Sequence, residues 1–133
     1  MQGAGWRAEQ IEEVPARDPS LGPAWHSIRH HFDIVAFGVN ANEADAGVEL
    51  VELHDELEDD QEELFVVVRG RARFTCDGVD AELGPGGMLY ARPEVRRSAT
   101  ALEPSTLLVM IGGKRGQAYA VPDWDRDQPA TAP

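Results

Sequence analysis

The side chains able to do chemistry in this chain are few and concentrated. Eight of the twelve residues from Glu52 to Glu63 are acidic, and His54 lies among them. A histidine flanked by carboxylates can hold a proton or face a polar ligand. The simplest reading of so dense an acidic run is a solvated loop. Glu63 is the exception, because it opens the apolar run Leu64-Phe65-Val66-Val67-Val68. The run lacks the spacing and the central glycine of an EF-hand calcium loop. Three more histidines, His26, His30 and His31, sit in Ala24–Phe32. His26 and His30 would share a face of a helix, and that spacing can bind zinc, but the companion glutamate of a metalloprotease motif is absent. Surface and packing roles are expected for this group. Cys76 shares the parity of Ala72 and Phe74, which makes it a small core residue rather than a nucleophile. No Ser-His-Asp arrangement, phosphate-cradling glycine loop or paired-cysteine zinc site is present.

The elements that must position these residues are strands. Val48 to Leu53 alternates, Leu64 to Val68 is an apolar run, and Arg71 to Cys76 alternates again. β-Branched residues at period two fit a pleated surface. Asp77-Gly78 between alternating runs predicts a hairpin, since a type I′ turn needs positive φ at both central residues. Further strands are expected over Asp33–Asn40, Val79–Leu83, Met88–Ala91, Val95–Leu102 and Thr106–Ile111, with a turn at Asn42–Gly47. Ala24–Phe32 reads as a short helical turn or an entry strand. Seven or eight short strands at close intervals predict an all-β sandwich or barrel. Residues 1–23, broken by Pro15, Pro19, Gly22 and Pro23, read as an N-terminal arm. Residues 24–121 form the barrel domain. Residues 122–133 are a tail, and Tyr119, Val121 and Trp124 anchor a C-terminal strap before a disordered end.

Size and charge narrow the function. A chain of 133 residues that is 42% hydrophobic suits one domain with one core. The net charge of −12 argues against a phosphate backbone or an anionic membrane surface as partner. No apolar run is long enough to span a membrane, and MQGAGWRAEQ lacks the apolar core of a signal peptide. The lone Cys76 fits a reducing cytosol, so a cytoplasmic location is expected. Both faces of Val66-Val67-Val68 are apolar, which suggests that one sheet is covered, for instance by a second subunit.

The stretch from Gly47 to Gly78 resembles the first motif of the cupins, small antiparallel β-barrels. That motif runs Gly, five residues, His-x-His, three or four residues, Glu, six residues, Gly. Glu63, six residues and Gly70 match its second half, and His54 matches a histidine, with six residues rather than five after Gly47. Pro85-Gly86-Gly87 resembles the Pro-x-Gly of the second motif. The resemblance covers roughly Val35 to Gly112 and implies a double-stranded β-helix, or cupin-like jelly roll. It also implies a divalent metal held by three histidines and the glutamate. Carried over residue by residue, the second histidine position holds Glu56, or Glu58 or Asp59 in another register. The downstream histidine falls among Arg96, Arg97 and Ser98, with Arg96 the favoured position. A guanidinium has no free lone pair and cannot ligate a metal.

The resemblance therefore implies a degenerate metal site in which Glu63 and Glu56 pair with Arg96. His54 supplies a proton donor or acceptor, and Tyr90 a wall. No cofactor is favoured, and the expected function is binding of a small organic molecule in the barrel mouth. The first alternative is a metal-dependent isomerase or dioxygenase, with a divalent transition metal on His54, Glu56 and Glu63, helped by a histidine from the 26–31 segment. The second is a structural or interaction module with a filled barrel. Cupin-like barrels often pair, so a homodimer is expected by resemblance.

Overall fold

Extended segments must pair to satisfy their backbone N–H and C=O groups, and here they do so in antiparallel sheets. The computed structural model describes residues 1–17 and 22–126. Pro19 and the chain end beyond residue 126, read from the sequence as a helix break and a disordered tail, lie outside the described residues. The chain opens with β1 (Gln2–Gly3), β2 (Trp6–Arg7), a 3-10 turn over Ile11–Glu13 and β3 (Ala16–Arg17). β4 (Ala24–His26), α1 (Ile28–Phe32), β5 (Gly38–Ala44), β6 (Glu49–His54) and β7 (Gln61–Arg69) follow. Next come β8 (Ala72–Cys76), β9 (Val79–Leu83), β10 (Met88–Ala91), β11 (Arg97–Ala101), β12 (Thr106–Lys114) and the single turn α2 (Asp123–Arg126).

Two sheets face each other. One has the order β10-β7-β12-β5-β4-β3, the other β6-β11-β8-β9, while β1 and β2 form a separate hairpin. Between the sheets Phe65, Val67, Phe74, Ala99, Ala101 and Leu108 build the core, with Phe65 and Phe74 in contact at 5.7 Å between ring centroids. Small residues on β11 leave room for Phe65 of the opposite sheet and for Phe74 of the neighbouring strand β8. The architecture is all-β, as the alternation predicts, and it is the jelly roll that the resemblance implies.

Two turns explain themselves. Asp77 and Gly78 have φ of 48° and 81°, the doubly positive pair that a type I′ hairpin needs. Gly70 has φ of 78°, and a Cβ there would lie 2.7 Å from Thr106 Cα, so only glycine fits.

Three local expectations are corrected. The strand expected over Asp33–Asn40 is shifted to Gly38–Ala44, because Asn40 and Asn42 alternate with Val39 and Ala41 and the backbone pairs with β12 and β4 on both sides. Polar side chains hid that period. Ala24–Phe32 is both a strand and a helical turn, so His26 and His30 do not share a helix face. Part of the arm is woven into the sheet, since β3 pairs with β4.

Candidate functional site in the barrel mouth

β7 carries the site on the inward side of the sheet. Its residues Glu63, Phe65 and Val67 alternate inward, so the strand runs from a polar end into an apolar core. The polar end is the mouth. Across from it, β11 places Arg97 opposite His54 of β6. The β6–β11 pairing is irregular: His54 and Val51 are three residues apart where Arg97 and Ala99 are two apart, a β-bulge in β6. A second shift follows, since Val51 and Glu49 are two residues apart where Ala99 and Thr100 are adjacent.

His54, Glu56 and Glu63 converge, each offering one ligand atom within 4.8 Å of the others, and they are the only such group among the described residues. His54 Nε2 lies 2.9 Å from Glu56 Oε1 and 3.7 Å from Glu63 Oε1. His54 Nδ1 lies 2.7 Å from the Glu52 carbonyl, which can only accept, so Nδ1 carries a proton. Hydrogen bonding to Glu56, reinforced by Glu63, outweighs burial and pushes the imidazole up to about 10. At neutral pH the ring is therefore an imidazolium.

The fourth member is Arg97, 0% exposed, with Nε 3.7 Å from Glu63 Oε1. Its Nη2 donates to the Ala91 and Arg92 carbonyls at 3.4 and 3.0 Å, while Nε and Nη1 have no hydrogen-bond partner among the described residues. Two carboxylates thus face one imidazolium and one guanidinium. With His54 protonated, the formal charges of these four side chains sum to zero.

Arg96, the residue favoured from the sequence, stands elsewhere. Its side chain is 56% exposed and lies 3.8 Å from Asp55, while its backbone N–H donates to Asp77. The register explains the exchange, since Arg97 shares the inward parity of Ala99 and Ala101 whereas Arg96 precedes the strand. Tyr90 is likewise not a wall of the mouth. It is exposed on the outer face of β10, and its hydroxyl donates to Glu62 at 2.6 Å, which pushes the phenol up. Of the residues singled out by sequence, the structure brings together His54, Glu56 and Glu63 and leaves Arg96 and Tyr90 outside. Two of the other histidines are engaged apart from this group: His26 Nδ1 lies 2.7 Å from the Val14 carbonyl, and His31 pairs with Glu9 at 3.0 Å. Burial pushes the Cys76 thiol up.

The quartet adjoins an open cavity of about 1170 Å³. Eight carboxylates line it: Glu49 and Glu52 of β6, Asp55, Glu56, Glu58 and Asp59 of the following loop, Glu63 of β7 and Asp125 of α2. Among the described residues no lysine or arginine lines it. Asn40, Asn42, Gln61 and Met110 form the inner wall, and Trp25, Tyr119 and Trp124 the rim. The strap is held there by a buried ion pair, Arg29 Nε to Asp125 Oδ2 at 2.6 Å. Sequence reasoning found the strap aromatics as anchors but gave no sign that they border the site, because that closeness depends on the long-range Arg29–Asp125 contact.

Comparison with known proteins bears on the fold. No family model matches the chain, and no curated protein does. Solved structures do. KdgF from a Halomonas species aligns with a TM-score of 0.64 and 22% identity over 76% of this chain and 88% of its own. A Klebsiella pneumoniae protein with a double-stranded β-helix domain gives 0.67 and 18% over 88% and 99%. A cupin 2 conserved barrel domain protein from Salinispora arenicola gives 0.66 and 14% over 81% and 88%. At such identities the likeness establishes the fold: the chain has the cupin double-stranded β-helix.

Proposed function

We propose that this cupin-fold chain is a metal-independent barrel that binds a small organic molecule in its mouth. The observation that carries the reading is the buried Arg97 beside Glu63, opposite His54. The resemblance expects a third metal-binding imidazole in this region, and here the position holds a fixed cation. A divalent ion on Glu63 Oε1 would lie within about 6 Å of the guanidinium, given metal–oxygen bonds near 2 Å. The repulsion at that separation is roughly 5 kcal/mol at an effective dielectric of 20. The ion would also have to displace the His54 proton. On this chemistry the residues do not fit the metal.

A cavity of about 1170 Å³ with apolar and polar walls suits an organic ligand, and its openness speaks against the filled-barrel alternative. One observation favours a metal-dependent enzyme instead. His54 gives its Nδ1 proton to a backbone carbonyl and points Nε2 at two carboxylates, the orientation a metal-bound histidine takes. A thermal-shift screen of EDTA-treated protein separates the two. Stabilisation by organic compounds without added metal supports the proposal. Stabilisation only by Mn²⁺, Fe²⁺ or Zn²⁺ rejects it.

Two further parts of the proposal concern the setting. The outer face of β7, β10 and β12 exposes Val68, Met88, Tyr90 and Ile111, and a second copy covering it accounts for that apolar surface. The lone Cys76 is in keeping with a reducing, cytoplasmic compartment. No described helix is long and apolar enough to cross a membrane.

A further inference from the structure

Glycine weakens a strand interior and is kept where something approaches the backbone closely. Gly112 of β12 is opposed in register to Gly38 of β5 on one side and to Glu63 of β7 on the other. Both β12 and β5 are internal to the sheet. Glu63, Gly112 and Gly38 thus form one row across the mouth end of the sheet, and all three line the cavity. Two of these three positions carry no side chain.

What approaches differs on the two strands. A Cβ on Gly38 would lie 3.0 Å from the Tyr119 hydroxyl, so the phenol of the strap is seated on β5. A Cβ on Gly112 would lie 3.0 Å from Gln61 Oε1 and 3.6 Å from Glu63 Cγ. The Glu63 side chain therefore leans toward Gly112 from one strand, and the Tyr119 hydroxyl stands on the strand beyond it. Among the described residues that hydroxyl has no hydrogen-bond partner. Burial pushes the phenol up, so it remains a neutral donor at physiological pH. Glu63 and Gly38 are two strand spacings apart, roughly 10 Å, and the lean of Glu63 shortens the gap between its carboxylate and the phenol. The next inward row places Phe65 and Met110 as an apolar floor to this gap.

We propose, on the basis of the ligand-binding reading above, that the ligand of this mouth is a neutral molecule with two oxygens on adjacent carbons, as in a vicinal diol, on a small apolar frame. One hydroxyl donates to the Glu63 carboxylate, with Gln61 Oε1 beside it as a second acceptor. The neighbouring oxygen accepts from the Tyr119 hydroxyl across the backbone of Gly112. Hydrogen bonds between oxygens are about 2.7–2.8 Å long, and two vicinal oxygens are about as far apart, so the pair spans roughly 8 Å where a single hydroxyl cannot. The carbon frame lies over Met110 and Phe65.

Calorimetric titration of the EDTA-treated full chain with cis-1,2-cyclohexanediol, cis-1,4-cyclohexanediol and cyclohexanol tests this. The three share one ring and differ in the number and spacing of their oxygens. The 1,2-diol is expected to bind at least about fivefold more tightly than either of the others, the worth of one added hydrogen bond. Tyr119→Phe removes the phenol oxygen alone. It should weaken the 1,2-diol about fivefold, to the level of cyclohexanol, and leave cyclohexanol binding as it is in wild type. Because that hydroxyl bonds nothing in the free protein, the variant should melt within about 2 °C of wild type. Equal binding of the three compounds, or a Tyr119→Phe variant that holds the 1,2-diol as tightly as wild type, overturns the oxygen pair and leaves the pocket reading standing. No binding of the 1,2-diol also overturns it. If in addition nothing organic stabilises the metal-free protein, the pocket reading falls with it.

Discussion

At His54 two carboxylates act on one imidazole, and the consequence is measurable. The unfolded ring titrates near 6.5 and the folded ring near 10. A raised histidine pKa stabilises the fold fully below pH 6.5, and the contribution is lost as pH rises through about 10. The ring is partly solvated, so the effect on stability is reduced by screening. NMR titration of the imidazole should show it charged at pH 8, and Glu56→Gln should lower its pKa toward the ordinary range. A wild-type ring titrating near 6.5 would contradict the geometry. Arg97 makes the second test at this scale. Arg97→Met leaves half-buried Glu63 with His54 as its only facing cation among the described residues, and urea denaturation should report a loss of at least about 1 kcal/mol. Adding Glu63→Gln should recover part of it, because the two residues are coupled. How much of the site was legible differs residue by residue. His54, Glu56 and Glu63 stand out in one stretch. Arg97 carried a weaker signal, its shared parity with Ala99 and Ala101, and the break at Pro93 obscured where that strand begins. Tyr90 could not be placed from its neighbours, since both faces of the β7–β10 pairing are apolar.

Among the elements, β6 decides where the site forms, and α2 decides how it is closed. The extra residue between Gly47 and His54 is visible in the sequence, but the register shifts of β6 depend on pairing with β11. Most strands were legible because β-branched residues alternate in them, and the Asp77-Gly78 turn was fixed by its own chemistry. β5 was displaced because Asn40 and Asn42 occupy its inward positions, where Asn42 donates to the Leu50 carbonyl at 2.7 Å. A polar cavity wall does not read as a strand. Gly70→Ala tests the β7–β8 turn. It combines positive φ with a collision against Thr106, and a loss of at least about 1 kcal/mol is expected by denaturant titration. The strap depends on Arg29. Arg29→Ala orphans the buried Asp125 carboxylate, and a loss of roughly 3 kcal/mol is expected, with faster proteolysis near Tyr119. Unchanged stability would mean that α2 does not hold the rim.

For the whole molecule, charge and exposed surface set the expectations. A chain of net charge −12 keeps like-charged copies apart at low salt, while Val68, Met88, Tyr90 and Ile111 favour their association. Light scattering should give a mass of two chains at physiological salt, and Met88→Glu should shift it to one. A wild-type mass of one chain refutes the covered face. The central claim is that Arg97 and the His54 proton, rather than a metal, balance Glu56 and Glu63. Elemental analysis of the untagged, dialysed protein beside its Glu63→Ala variant tests that claim most directly. Neither protein should carry a stoichiometric transition metal. One equivalent of iron, manganese, nickel or zinc in the wild type, lost in the variant, would contradict the account and make the mouth a metal centre.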